Sequence, residues 1–177
     1  MMKKILSLVL CLMMLFTGFA FAEEATDEMP ATAEEAYEGV WVQFEDGFEL
    51  YLPAEWVEIE VTEEMLEGGI FYVAASPDGA YTCQLAWTAL EAETAIEDLQ
   101  AELAVAYPDA TLMVVNEIPM IVYSDAENDM LAAVAMDAAE PGVYMFCFTP
   151  ASDADYMVLA GYIISSIRTF DVEAVAE

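Results

Sequence analysis

Apolar and polar positions begin to alternate at Gly39 and continue in short segments divided by turn signals. Val40, Val42 and Phe44 alternate with Trp41 and Gln43. After Glu45-Asp46-Gly47, the run Phe48-Glu49-Leu50-Tyr51-Leu52 predicts the return strand of a hairpin, ended by Pro53. Val57 to Val61 reads as an extended or loop segment. Residues 62–68 read as a helical turn or two, capped by Thr62 and stopped by Gly68. A third strand over Ile70–Ala75, the turn Ser76-Pro77-Asp78-Gly79 and a fourth strand over Ala80–Thr88 form another hairpin. In the fourth strand Tyr81, Cys83, Leu85 and Trp87 share one face, which predicts that they point inward.

The period then changes from two to about 3.6. Ile96, Leu99, Leu103 and Ala106 or Tyr107 make the stripe of a helix. Thr94 and Glu97 have the spacing of a capping box, and Tyr107-Pro108-Asp109 ends the helix. Alternation resumes in Thr111–Val115, Ile118–Tyr123, Met130–Met136 and Val143–Thr149, the last three predicting an antiparallel meander. Ser152 or Asp153 caps a final helix with the apolar face Tyr156, Leu159, Ala160, Ile163, Ile164 and Ile167. Arg168 follows that face, where a cation suits a helix C-terminus or pairs with a carboxylate. The order is hairpin, hairpin, helix, three-stranded meander, helix. This is an α+β pattern, helices packed on an antiparallel sheet.

Upstream, the pattern has no core period. Met1-Met2-Lys3-Lys4, the apolar run Ile5–Phe16 and Ala20-Phe21-Ala22 have the layout of a cleavable export signal over residues 1–22. The run is too short to span a bilayer, which takes about 20 apolar residues. Cleavage after Ala22 predicts a secreted or extracytoplasmic protein. Residues 23–37 read as an acidic, disordered or loosely helical lead-in, 38–170 as a single domain and 171–177 as an acidic tail.

Charge narrows the function classes. The chain has 34 Asp and Glu, three Lys and Arg, and no histidine. Lys3 and Lys4 belong to the signal, so 34 acids against Arg168 alone leave a formal charge of −33 after cleavage. Binding to nucleic acid or to anionic membrane is excluded, because both need Lys and Arg. The charge admits attraction to cations, basic peptides and basic protein surfaces, but by itself is read first as keeping an exported protein soluble and monomeric; a protein or peptide partner is expected from the signal and the missing catalytic chemistry. Catalysis by histidine or lysine is ruled out by residue type, and no phosphate-binding Gly motif occurs. The expectation is a non-catalytic protein without a cofactor. A carboxylate-pair hydrolase is the enzymatic alternative that residue type leaves open.

Three further features carry candidate chemistry. Asp125, Glu127 and Asp129 place oxygens at alternate positions of a polar turn, a weak calcium-site candidate that lacks EF-hand spacing, so a solvated hairpin tip is the favoured reading. Cys83 and Cys147 lie in strand-like segments, and both alternatives stand: two buried thiols, favoured, or one disulfide permitted by export. Trp56 and Trp87 read as core. Trp41 is the tryptophan best placed for exposure.

Phe48-Glu49-Leu50-Tyr51-Leu52-Pro53 followed by Trp56 resembles an opening found in PsbP-like and DcrB-like bacterial proteins, and the later elements are similar over roughly residues 38–170. The resemblance implies an α/β/α sandwich around an antiparallel sheet. It also implies a small exported accessory, binding or assembly protein, with no shared catalytic residues to carry over.

Overall fold

The computed structural model describes residues 32–170. The export signal, its cleavage site after Ala22, the lead-in before Thr32 and the tail 171–177 lie outside the described residues.

The elements run α1 Ala33–Ala36, β1 Gly39–Gln43, β2 Phe48–Pro53, β3 Val57–Glu58, α2 Glu63–Glu67, β4 Ile70–Ala75 and β5 Thr82–Ala89. There follow α3 Ile96–Ala106, β6 Thr111–Val115, β7 Ile118–Asp125, β8 Met130–Met136, β9 Gly142–Thr149, α4 Ala154–Ser166 and β10 Arg168–Thr169. Among the described residues the strands form two antiparallel sheets. The larger has the order β3-β4-β5-β9-β8-β7-β6, the smaller β1-β2-β10. The fold is α+β, antiparallel sheets with helices packed on them.

Register decides which side chains share a face, because directly paired residues of antiparallel strands point the same way. Cys83 pairs with Phe148, Leu85 with Phe146 and Trp87 with Tyr144. That face is covered by β2 and α4. Phe48 of β2 lies 5.1 Å from the Tyr144 ring and 5.6 Å from Phe146. Tyr156 of α4 donates its hydroxyl to the Thr82 carbonyl. The opposite face carries Ile121, Tyr123, Ala132 and Val134, and α3 covers it with Ile96, Leu99, Leu103, Ala104 and Tyr107. Burial on both faces explains why β7 and β8 read as nearly continuous apolar runs.

Several expectations are corrected in detail. The hairpin β1-β2 does not join the main sheet but forms its own, closed by β10, a two-residue strand too short to leave a pattern. Thr94 is not a helix cap. The helix starts at Ile96 after Ala95, and the Thr94 hydroxyl donates back to the Ala92 carbonyl at 3.2 Å. Arg168 follows Ile167 as expected, and of its two expected roles the carboxylate pairing is the one realised, since it enters β10 and its Nε donates to Glu49. Order also begins before Gly39. Thr32 caps α1, Ala33 is buried, and the Tyr37 hydroxyl donates to the Tyr51 carbonyl. The cap of α4 is Asp153, whose carboxylate accepts from the Asp155 and Tyr156 amides.

The small sheet has a buried apolar side and an outer polar side. Phe48, Leu50 and Leu52 turn inward and are at most 6 % exposed. On the outer side Glu49 Oε1 accepts from Arg168 Nε at 2.6 Å, and Glu49 Oε2 accepts from Gln43 Nε2 at 2.8 Å. The Arg168 guanidinium lies over the Trp41 ring, 3.7 Å from its centroid. Trp41 is therefore half-buried, while Val40, expected to face inward, is 51 % exposed. Tyr51 packs beside Trp41 at 5.3 Å, and its hydroxyl accepts the Gly39 amide. A Cβ on Gly39 would lie 2.6 Å from that ring, so the position admits only glycine without a shift.

Truncating the inward side of β2 is expected to be costly. Leu50→Ala should lower unfolding free energy by about 2–5 kcal/mol in urea titration, because a fully buried leucine leaves a cavity under the small sheet.

Candidate functional site

The tip of the β1-β2 hairpin stands between two clefts. Its shape follows from the Glu45-Asp46-Gly47 signal. The Phe44 amide donates to the Phe48 carbonyl and the Gly47 amide to the Phe44 carbonyl. Gly47 supplies the positive φ of 83° that the turn needs. The Phe170 amide then donates to the Gly47 carbonyl and ties the tip to the chain after β10.

The first cleft, about 360 Å³, is lined by Val42, Gln43, Phe44, Glu45, Asp46, Glu58, Phe71 and Tyr72. The second, about 130 Å³, lies on the far side of the tip and includes Asp46, Phe48, Ile118, Asp137, Tyr144 and Ile167. Asp46 lines both.

Neighbouring strand residues normally point to opposite faces, yet Phe71 and Tyr72 both meet Phe44. The register of β4 against β5 slips between Ile70 and Tyr72, and this irregularity redirects the chain. Gly69 anchors it with φ +84° and its carbonyl accepting from the Trp87 amide. Phe44 consequently stands nearly perpendicular to Phe71 (6.0 Å, 82°) and to Tyr72 (5.1 Å, 86°). Phe48 stacks on Phe44 at 4.8 Å and continues the aromatic cluster to Tyr144. Phe44, Phe71, Tyr72 and Tyr144 are half-buried, so each shows part of its ring to the clefts.

Electrostatics keep this region acidic and its phenols neutral. Burial, then the Glu58 carboxylate, push the Tyr72 hydroxyl up to about 12. Burial and the carboxylates of Asp46 and Asp137 push Tyr144 well above the ordinary tyrosine value. Asp137 is partly buried, which alone would raise it. The Ala139 amide, Trp87 Nε1 at 2.9 Å and the Glu140 amide outweigh that and hold it below the usual carboxylate value. Asp137 is thus built into a turn. Cys147 is pushed up to about 11 by burial, and Cys83 rises further for the same reason. Both thiols stay protonated at neutral pH, so neither is an activated nucleophile.

The sequence-predicted residues fall elsewhere. Asp125 is buried. Its Oδ1 accepts from the Glu127 and Asn128 amides at 3.0 and 3.2 Å, and its Oδ2 from Asn128 Nδ2 at 2.7 Å and the Tyr107 hydroxyl at 3.4 Å. Asp129 turns to α4, accepting from the Ser152 amide and hydroxyl at 2.7 and 2.8 Å. Glu127 is exposed. The turn therefore directs its carboxylates to separate protein donors. Among the described residues no group of three or more His, Cys, Asp or Glu is arranged to hold a metal ion. Cys83 and Cys147 are free, and register separates them: Cys147 pairs with Gln84 and Ala132, so it faces α3 while Cys83 faces α4. Trp87 rests on Gly142, where a Cβ would meet its ring at 2.6 Å. Trp56 packs 6.2 Å from Tyr156.

Comparison with known proteins adds a fold. No protein-family model matches the chain, and no curated protein matches it. The solution structure of cyanobacterial PsbP (CyanoP) from Synechocystis sp. PCC 6803 superposes with TM-score 0.53 and 14 % identity, covering 84 % of this chain and 98 % of that one. The fold is PsbP-like. A crystal structure from Bacteroides thetaiotaomicron VPI-5482 is similar at TM-score 0.45 and 14 % identity, over 70 % of this chain and 45 % of that one. In this PsbP-like chain Leu52-Pro53 closes β2, and the Trp56 amide turns back to the Pro53 carbonyl at 3.0 Å, directing the ring under α4.

The aromatic clefts were not found from sequence. Phe44, Phe48, Phe71, Tyr72 and Tyr144 each read as ordinary strand residues, and only the strand irregularity and the stacking of two sheets bring them together.

Two outcomes follow for these groups. Asp125 is held below the usual carboxylate value, first by the Asn128 side chain. A depressed folded value stabilises above the unfolded pKa of about 3.9 and is lost as pH falls through the folded value. In urea titrations Asp125→Ala should be less stable than the parent at pH 7, with the gap closing in strong acid. In thiol labelling, Cys83 and Cys147 should react only on unfolding, and mild oxidation of the folded protein should form no bond between them.

Proposed function

We propose that the chain is an exported, non-catalytic accessory module that docks another protein through the acidic, aromatic end of its β1-β2 hairpin. One observation carries this reading: half-exposed aromatic rings line clefts on both sides of an acidic turn. Rings that show part of their surface to solvent are the kind of apolar area that partners cover, and aromatic residues are enriched at interfaces. The PsbP-like fold and the signal-like N-terminus are consistent with work outside the cytoplasm. The charge of the exported chain favours a partner with a basic surface, which would associate quickly and in a salt-dependent way.

Asp46 provides the test, because it is exposed and borders both clefts. The tagged exported chain and its Asp46→Lys variant are each incubated with native envelope and culture-fluid fractions at moderate salt. The parent should retain a discrete partner that elutes as salt is raised, and Asp46→Lys should lose at least about ten-fold of that retention. Equal retention by both proteins, or none by the parent, overturns the reading.

A further inference from the structure

Building on that docking reading, we propose that the larger cleft receives a lysine or arginine side chain of the partner, held against the rings of Phe44, Phe71 and Tyr72 and countered by Glu45 and Glu58. The molecule already binds one cation of its own in this manner. Arg168 lies over the Trp41 face at 3.7 Å while the Glu49 carboxylate accepts from its Nε at 2.6 Å. The larger cleft adjoins that arrangement through Gln43, which lines the cleft and donates to Glu49. It repeats the ingredients, aromatic surface and carboxylate, with no cation of its own.

Three features specify the occupant. Phe44, Phe71 and Tyr72, packed edge-to-face and each half-buried, give the cleft an aromatic wall against which an aliphatic stem can pack. The side chains of Glu45 and Glu58 make no hydrogen bond or ion pair among the described residues, so their charge is uncompensated within the fold. Arg168, the one Lys or Arg among the described residues, is already engaged. An anionic or neutral ligand would leave these carboxylates unanswered. A bare metal ion has no apolar stem to cover the rings. A long basic side chain satisfies both, its stem against the rings and its head at the carboxylates.

The probe is a capped arginine-containing pentapeptide, compared with the same peptide carrying neutral citrulline. Both are titrated into the exported chain and followed by two-dimensional amide NMR at about 0.15 M salt, which screens diffuse attraction beyond about 8 Å. The arginine peptide should give saturable shifts confined to Val42–Asp46, Glu58, Phe71 and Tyr72, and citrulline should bind at least about five-fold more weakly. Glu58→Gln and Phe71→Leu should each weaken the arginine peptide roughly three-fold or more. Glu91→Gln, which removes the same charge from an exposed site outside the cleft, should not. Unchanged shifts elsewhere in the spectrum report that each variant is folded. Unsaturable shifts spread over the acidic surface, equal binding of citrulline, or equal effects of Glu58→Gln and Glu91→Gln overturn the assignment. If partner retention still depends on Asp46 in that case, the docking reading stands and only the basic-side-chain assignment falls.

Discussion

The small sheet is held by the burial of Phe48, Leu50 and Leu52, with Phe48 packed on Tyr144 and Phe146 of the large sheet, and the arrangement of the covering layer follows from that burial. With those three residues inward, alternation along β2 forces Glu49 and Tyr51 to the outer side. There Glu49 needs a cation, and Tyr51 closes over Gly39. The chain after α4 supplies the cation when Arg168 pairs beside Glu49 in β10. The Tyr51 amide donates to the Ser166 hydroxyl at 2.8 Å, so α4 extends the same covering layer beyond β2. Once this layer is seated, the hairpin tip overhangs the sheet, and the spaces on either side of it become the clefts.

A chain with one Lys or Arg beyond its fourth residue has a single side-chain cation there for its carboxylates, and Glu49 takes it. Elsewhere it uses neutral donors. Asp78 accepts from the Ser76 hydroxyl and the Ala80 amide, Asp109 from the Ser124 amide, and Asp153 from the Tyr81 hydroxyl and the start of α4. Asp125, Asp129 and Asp137 follow the same rule. Hydrogen bonds to a charged acceptor are stronger than neutral ones: Asp78, Asp125 and Asp137 use them to close turns, Asp153 to start a helix, and Asp109 and Asp129 to tie distant segments together. The exposed glutamates differ: like others on the surface, Glu45 and Glu58 beside the larger cleft accept from no such donor among the described residues.

Much of this fold was legible because its causes are local. The turn at Glu45-Asp46-Gly47, the Thr62 cap of α2, the stop at Pro108 and the apolar stripe of α4 depend on residues a few positions apart. Locality also explains the misreading at Thr94. Its spacing to Glu97 suits a capping box, but the helix begins one turn-geometry choice later, at a position that spacing alone does not distinguish.

By itself, the sequence determined the order of the longer strands and helices, the α+β class, and the near-absence of basic chemistry, since alternation, helical period and composition are properties of the chain. The tertiary structure alone decided that β1 and β2 form a separate sheet, that Cys83 and Cys147 face apart, and that Phe71 and Tyr72 turn to the same cleft. It also decided that Arg168 meets Glu49, 119 positions away. Each of these depends on register or on the stacking of one layer upon another. Both are settled by the burial of surfaces contributed by distant segments, which no local pattern encodes.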